Sequence, residues 1–266
     1  MRSSVNVVNS GLDALGNKAK SAISALIKQF SQGESKAKTS GNAVGNNFNN
    51  GVSAGMSRAV STAETMSFSK MGFDTFTSKE LMNITEYTPS GSWPTDKVLV
   101  NETVKAMDAT ENQSDFVYTI TVGSHGDYPT EKIIENPEIT VTGAADEASN
   151  NQWEYYVNMI HNTDNFIANL IDAVNRRGED TIIVMFGDHL PTMGLEDSDM
   201  KSGDIFKTKY ATWNNFGLPK QDADLTAYQL LAHITGQMGI HEGTMFTYTQ
   251  TQADSSTYQN GLDNLQ

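Results

Sequence analysis

The sequence predicts an α/β fold with a mostly parallel sheet, preceded by a helical and flexible N-terminal segment. Three observations predict it. Residues 181–186, TIIVMF, form a β-branched and apolar run. The run is too short for a helix and too continuously apolar for a strand with one wet face, which suits a parallel sheet covered on both sides. Residues 116–122, FVYTITV, form a second run of strand-forming residues. Between the two, Trp153, Tyr156, Val157, Ile160, Ile167, Leu170, Ile171 and Val174 recur at spacings of three and four, an amphipathic helix that stops at Arg176, Arg177 and Gly178. Strand, long connection with helix, and strand make the crossover that parallel strands in one sheet require.

With 266 residues and 38% hydrophobic content, the chain is long and apolar enough for a real core. Its formal charge of −14 argues against general nucleic-acid binding, because so acidic a surface repels phosphate unless a cation intervenes. The absence of cysteine excludes disulfides, thiolate metal sites and cysteine nucleophiles. No apolar run approaches membrane-spanning length, and the N-terminus lacks the apolar stretch of an export signal.

Taken in order, residues 1–66 differ in texture from the rest, with Gly, Ser, Ala and Asn dominant. Val5, Val8, Leu12, Leu15, Ala19, Ala22 and Leu26 make a helical stripe. Residues 31–55 have no apolar period and read as a flexible linker, expected to be cut by proteases. This small-residue helical texture resembles pieces of phage tail tape-measure proteins. Residues 67–250 have the composition of a globular domain, and 251–266 read as a polar tail expected to fray, as does the chain from Thr247.

Within the domain, residues 71–84 suggest a loop and short elements. Thr95 or Asp96 can cap a helix with apolar positions at Val98, Leu99, Val104 and Met107. Residues 129–151 read as a polar loop long enough to suspect function or mobility. Residues 209–214 suggest another short strand, and Asp224 a cap for a helix carrying Leu225, Tyr228, Leu231 and Ile234.

The polar residues that follow the two strands are the candidate site. After Phe186, Gly187 frees the backbone and Pro191 prevents the strand from resuming, so Asp188 and His189 lie where the chain turns. His125 likewise lies just past 116–122, in Gly-Ser-His-Gly. Parallel strands would bring all three to one sheet edge, where α/β proteins place their ligands. A carboxylate beside an imidazole makes half of a divalent-metal site. Each residue also has a plainer reading: Asp188 as a turn cap, His189 packed on the sheet edge, His125 as ordinary turn chemistry. His161 lies within the long helix with Asp164 one turn away as partner. His233 and His241 belong to no motif. Trp93 lines a pocket or anchors packing.

Four strings occur in order: MGFDTFTSKE at 71–80, FVYTITVGSHGDYP, WEYYVNMIHNTDNFIANLI and VMFGDHLPTMG. Over residues 68–248 the chain resembles the lipoteichoic acid synthase-type proteins of the sulfatase and alkaline phosphatase superfamily. The resemblance implies a partial sulfatase-like domain, its C-terminal half. It also implies a metal-dependent phosphoryl or sulfuryl ester enzyme using manganese and, in one branch, transferring glycerol phosphate from a glycerophospholipid. On that pattern Asp188 and His189 match metal ligands and His125 a substrate-binding residue.

The family's glutamate ligand and threonine nucleophile precede the GFDTF-like string, and no counterpart precedes it here. Thr62, Glu64 and Thr65 lie too close to that string to serve, so no catalytic residue is assigned. The expectation is therefore a catalytically incomplete relative that holds manganese weakly. The alternatives are a non-catalytic binding or structural module and an accidental gene fusion. A sheet deprived of its early strands would also expose an edge that favours self-association.

Overall fold

The computed structural model describes residues 68–126 and 128–265. The N-terminal helix, the linker and the tape-measure resemblance lie outside the described residues. The described residues divide into two units, one within 82–222 and one that joins 223–265 to 68–81.

The larger unit is built on two helices and two strands. Helix α1 spans Val98–Asp108 and helix α2 spans Glu147–Arg177. Strand β1 is Ile182–Phe186 and β2 is Tyr210–Asn214. Helix α2 begins six residues before the first apolar residue of its stripe because Asp146 caps it, accepting a hydrogen bond from the Ser149 N–H at 2.7 Å. It ends at Gly178, whose φ of 73° is the left-handed conformation that glycine adopts without strain. Helix α2 buries Phe166, Leu170 and Val174 against Leu99 of α1, and Ile183 and Trp213 pack on this core from the sheet; of the expected stripe only Leu170 and Val174 are buried, and Ile160 is 42% exposed. Each fully buried side chain of this kind stabilises the fold by about 1.5–3 kcal/mol.

Among the described residues the sheet is two-stranded and antiparallel, with Ile183 opposite Trp213 and Phe186 opposite Tyr210. That corrects the expected mostly parallel sheet. The register explains the pairing: Ile183 and Trp213 share the face that meets α2, so the hairpin buries its two best core residues together.

The segment 116–122 is extended but forms no strand of this sheet. Polar contacts tie it elsewhere. The Thr119 hydroxyl lies 3.2 Å from that of Thr103 on α1, and the N–H of Val122 donates to the Asp96 carboxylate. Its Tyr118 ring still lies 6.4 Å from that of Phe186.

Of the loop expected over 129–151, residues 147–151 belong to α2, and residues 129–146 are without regular structure yet laced as a strap onto that helix. The buried Asn158 accepts from the N–H of Glu138 and of Ile139 and donates to the Ile139 carbonyl at 2.7 Å. The buried Glu154 accepts from the Val141 N–H and pairs with Lys132. His161 pairs with Glu138 at 2.8 Å, not with Asp164, because the strap lies across its face of the helix.

In the other unit, Phe68 stacks on Phe76 with centroids 4.8 Å apart. Helix α3 spans Ala227–Gln237, α4 Thr244–Gln252 and α5 Tyr258–Asn264. The cap of α3 is Thr226, whose N–H donates to Gln229 Oε1, two residues beyond the expected Asp224. Where the tail is expected to fray, Tyr258 and Leu262 are buried, and the Tyr258 and Thr249 hydroxyls lie 2.9 Å apart. Among the described residues no helix is long and apolar enough to cross a membrane.

Candidate functional site

The site begins where β1 ends. Gly187 still donates to the Lys209 carbonyl, extending the ladder by one residue, and the chain then leaves the sheet. The next two residues stand in solvent: the Asp188 side chain is 83% exposed and that of His189 54%. The connection to β2 is ordered by carboxylates, Asp197 accepting from the Ile205 N–H and Asp199 from the Glu196 N–H.

His189 is held by its own strand end. Its Nδ1 lies 2.8 Å from the Leu190 carbonyl oxygen. A carbonyl only accepts, so Nδ1 carries the proton and the neutral ring leaves Nε2 as a lone pair. That nitrogen is 3.9 Å from Asp188 Oδ1, while the same oxygen accepts from the His189 N–H at 2.9 Å.

His125 arrives from the other side. Its ring centroid is 6.0 Å from that of His189, in an edge arrangement. Thus His125 and the Asp188, His189 pair come together, although the parallel sheet that was to align them is absent from the described residues. The alignment comes instead from a buried carboxylate. Asp96, 4% exposed, accepts from the N–H of Val122 and of Gly123 through Oδ1 and from the Thr163 hydroxyl through Oδ2. Asp96 therefore fixes the turn that carries His125 to both the start of α1 and the middle of α2. Its sequence signal, an acid before a helix, points to capping and hides this reach across 26 residues.

Two further groups border the site. The Trp93 ring meets His125 edge-on with centroids 4.8 Å apart. The Tyr128 hydroxyl donates to the Ser124 carbonyl at 3.1 Å, beside His125. Burial, followed by the neighbouring Tyr156 and Tyr155, pushes the Tyr128 phenol above its ordinary pKa. His161 serves the strap, and His233 and His241 lie in the other unit on Gln237 and Gln250.

The donor set suits one divalent ion in part. Ligand arms of about 2.0–2.2 Å separate adjacent donors by about 3–3.5 Å. The 3.9 Å between Nε2 and Oδ1 is slightly wider, and both side chains are exposed enough to close it. Two protein donors leave several positions to other groups. Among the described residues no cluster of three or more His, Asp or Glu side chains is poised for a metal. A cleft of about 460 Å³ between α1 and the end of α2 lies around Val104 and Arg176 and does not include these residues.

The fold and site stand beside three comparisons. A Putative cyclic beta-1,2-glucan modification protein of Rhizobium meliloti (strain 1021) is 31% identical over 129 residues, covering 48% of this chain and 20% of that protein. The chain thus spans about a fifth of the length of the curated relative it matches. No solved structure matches it. The sulfatase family profile matches residues 44–252, well over half of the sequence. This chain belongs to the sulfatase family, within the alkaline phosphatase-like superfamily.

Proposed function

We propose that this chain carries part of a phosphate- or sulfate-ester site of the phosphoglycerol transferase type, in which Asp188 and His189 hold a divalent cation and His125 faces the ester. The observation that supports this most is the 2.8 Å contact between His189 Nδ1 and the Leu190 carbonyl. With Nδ1 committed to Leu190, Nε2 is preset as a donor beside the Asp188 carboxylate and within one ring's reach of His125. The bound cation, manganese by the resemblance, would neutralise charge on the non-bridging ester oxygens. His125 would hold one of those oxygens by a hydrogen bond. The substrate class is a phosphate or sulfate ester, a glycerophospholipid among them.

Binding is weak and turnover by these residues alone is nil in this reading. Asp188 and His189 cannot attack the ester while they hold the cation, and water must fill the remaining positions around it. The openness of Asp188 and His189 also favours a second reading, a binding module that has kept the ester site without its chemistry. The assay is purified protein with excess manganese against phosphatidylglycerol and simple phosphate and sulfate esters, beside Asp188→Ala. Background rates in both are expected. Robust activity in the parent that disappears in Asp188→Ala would overturn the claim of incomplete chemistry.

A further inference from the structure

We propose that Trp93 is a ligand-contacting residue of this site, giving its indole N–H to an oxygen of the bound anion. The inference rests on the ester-site reading above. Three observations carry it.

The first is position. Trp93, His125 and His189 form a row, with centroid separations of 4.8 and 6.0 Å, that ends at Asp188. The indole is therefore next to the imidazole that faces the ester.

The second is that the position is built. Trp93 sits in a closed loop: the Thr88 N–H donates to the Trp93 carbonyl at 2.8 Å, the Thr95 N–H to the Glu86 carbonyl, and Tyr87 bridges Pro94. The Tyr155 hydroxyl on α2 donates to Ser90 at the tip of that loop. Three residues after Trp93, Asp96 holds the amides of Val122 and Gly123, and a side chain at Gly123 would sit 2.9 Å from Asp96 Oδ2. The backbones that carry Trp93 and His125 are thus registered to each other by a buried carboxylate.

The third is chemical. The Trp93 Nε1 is buried and has no acceptor among the described residues. Packing alone needs only the ring, and a buried donor without a partner is a cost that an apolar residue would avoid. The His125 ring that meets the indole edge-on is exposed, so it is free to turn and admit an anion beside the indole.

The test uses inorganic phosphate with magnesium, a diamagnetic stand-in for manganese that leaves nearby signals sharp, followed by NMR on the ¹⁵N-labelled chain. Its three tryptophans, Trp93, Trp153 and Trp213, give indole signals assignable by Trp153→Phe and Trp213→Phe, which leave the proposed contact intact. The expected result is a downfield shift of the Trp93 indole proton that saturates together with the His125 ring signals. Trp93→Phe, which keeps a ring and loses the donor, should weaken phosphate binding by roughly tenfold or more.

Movement of the His125 and His189 signals while the Trp93 indole stays fixed would overturn the contact and leave the ester site standing. Phosphate that moves none of them would overturn both. Because the indole shift is read in chains that retain Trp93, a folding defect in Trp93→Phe does not decide the outcome.

Discussion

The backbone amide of Gly123 lies 3.0 Å from Asp96 Oδ1, and a methyl group on Gly123 would meet the other oxygen of that carboxylate at 2.9 Å. One contact thus sets the spacing between the start of α1 and the turn that carries His125.

Gly123→Ala is expected to push the turn off Asp96 and destabilise the unit by about 1–3 kcal/mol, the usual cost of overpacking a filled site. Asp96→Ala should cost as much or more, since two amides and a hydroxyl lose their acceptor. Urea unfolding measures both. A Gly123→Ala chain with unchanged stability and an unmoved His125 ring signal would show that the turn is held by something else.

Manganese binding should depend on both Asp188 and His189. Electron paramagnetic resonance titration is expected to show weak binding in the parent and a further loss of tenfold or more in Asp188→Ala and in His189→Ala. His161→Ala, which alters only the strap pair with Glu138, should leave the affinity within about twofold. Equal affinity across all four proteins would remove the metal from Asp188 and His189.

Two sets of groups predict opposite pH limbs. Hydrogen bonds from the Ser149 backbone and side chain lower the Asp146 pKa below its ordinary 3.8. Its contribution is therefore present above that value and is lost as pH falls through the depressed one. Tyr128 is raised above 10.0 by burial and then by its tyrosine neighbours, and Tyr156 by burial. Their contribution is present below pH 10.0 and is lost as pH rises through the raised values. Stability against urea across pH should fall at both extremes. Asp146→Asn is expected to flatten the acid limb, and Tyr128→Phe with Tyr156→Phe the alkaline one.

Leu170→Ala removes a side chain at the centre of the α1, α2 and hairpin core, so a loss of about 2–5 kcal/mol is expected. An Ala at Ile160, on the exposed side of the same helix, should cost far less. Similar losses at the two positions would contradict the assigned core face.

How much of this was legible in the sequence depended on the range of the interaction. The existence of α2, the strand at 182–186 and the turn at Asp188 and His189 are local patterns, and the structure has each at its expected place, whereas the buried face of α2 runs through Tyr155, Met159, Phe166 and Ala173 beside Leu170 and Val174 and leaves Ile160 exposed. The direction of the sheet is not local. Apolar continuity in TIIVMF signals burial, but whether the partner is parallel or antiparallel depends on which distant strand brings a core residue opposite Ile183, and Trp213 does so.

The anchoring of the strap was not legible, for the same reason. Its polar residues look mobile until Asn158 and Glu154, placed on α2 by helical spacing, are seen to hold its amides. In the tail, Tyr258 and Leu262 stand at helical spacing but are only two apolar residues, too few to stand out as a period, yet they are the buried residues of a seven-residue helix. The turn at His189 was legible because the end of β1 is read locally, whereas residues 116–122, which lead to His125, form no strand among the described residues. Asp96, which aligns the two imidazoles, acts through space on backbone atoms that carry no sequence identity.

Helix α2 has 31 residues, about 46 Å at 1.5 Å per residue, and contains neither glycine nor proline. It has no residue at which a bend is cheap. Its first half grips the strap through Glu154 and Asn158, and its second half supports the core through Leu170 and Val174. Slow amide exchange should therefore run continuously along it, without the break that separates independently opening segments. Opening of the strap therefore means peeling it off a stiff rod, one amide pair at a time, and the exchange rates at Glu138, Ile139 and Val141 would time that motion.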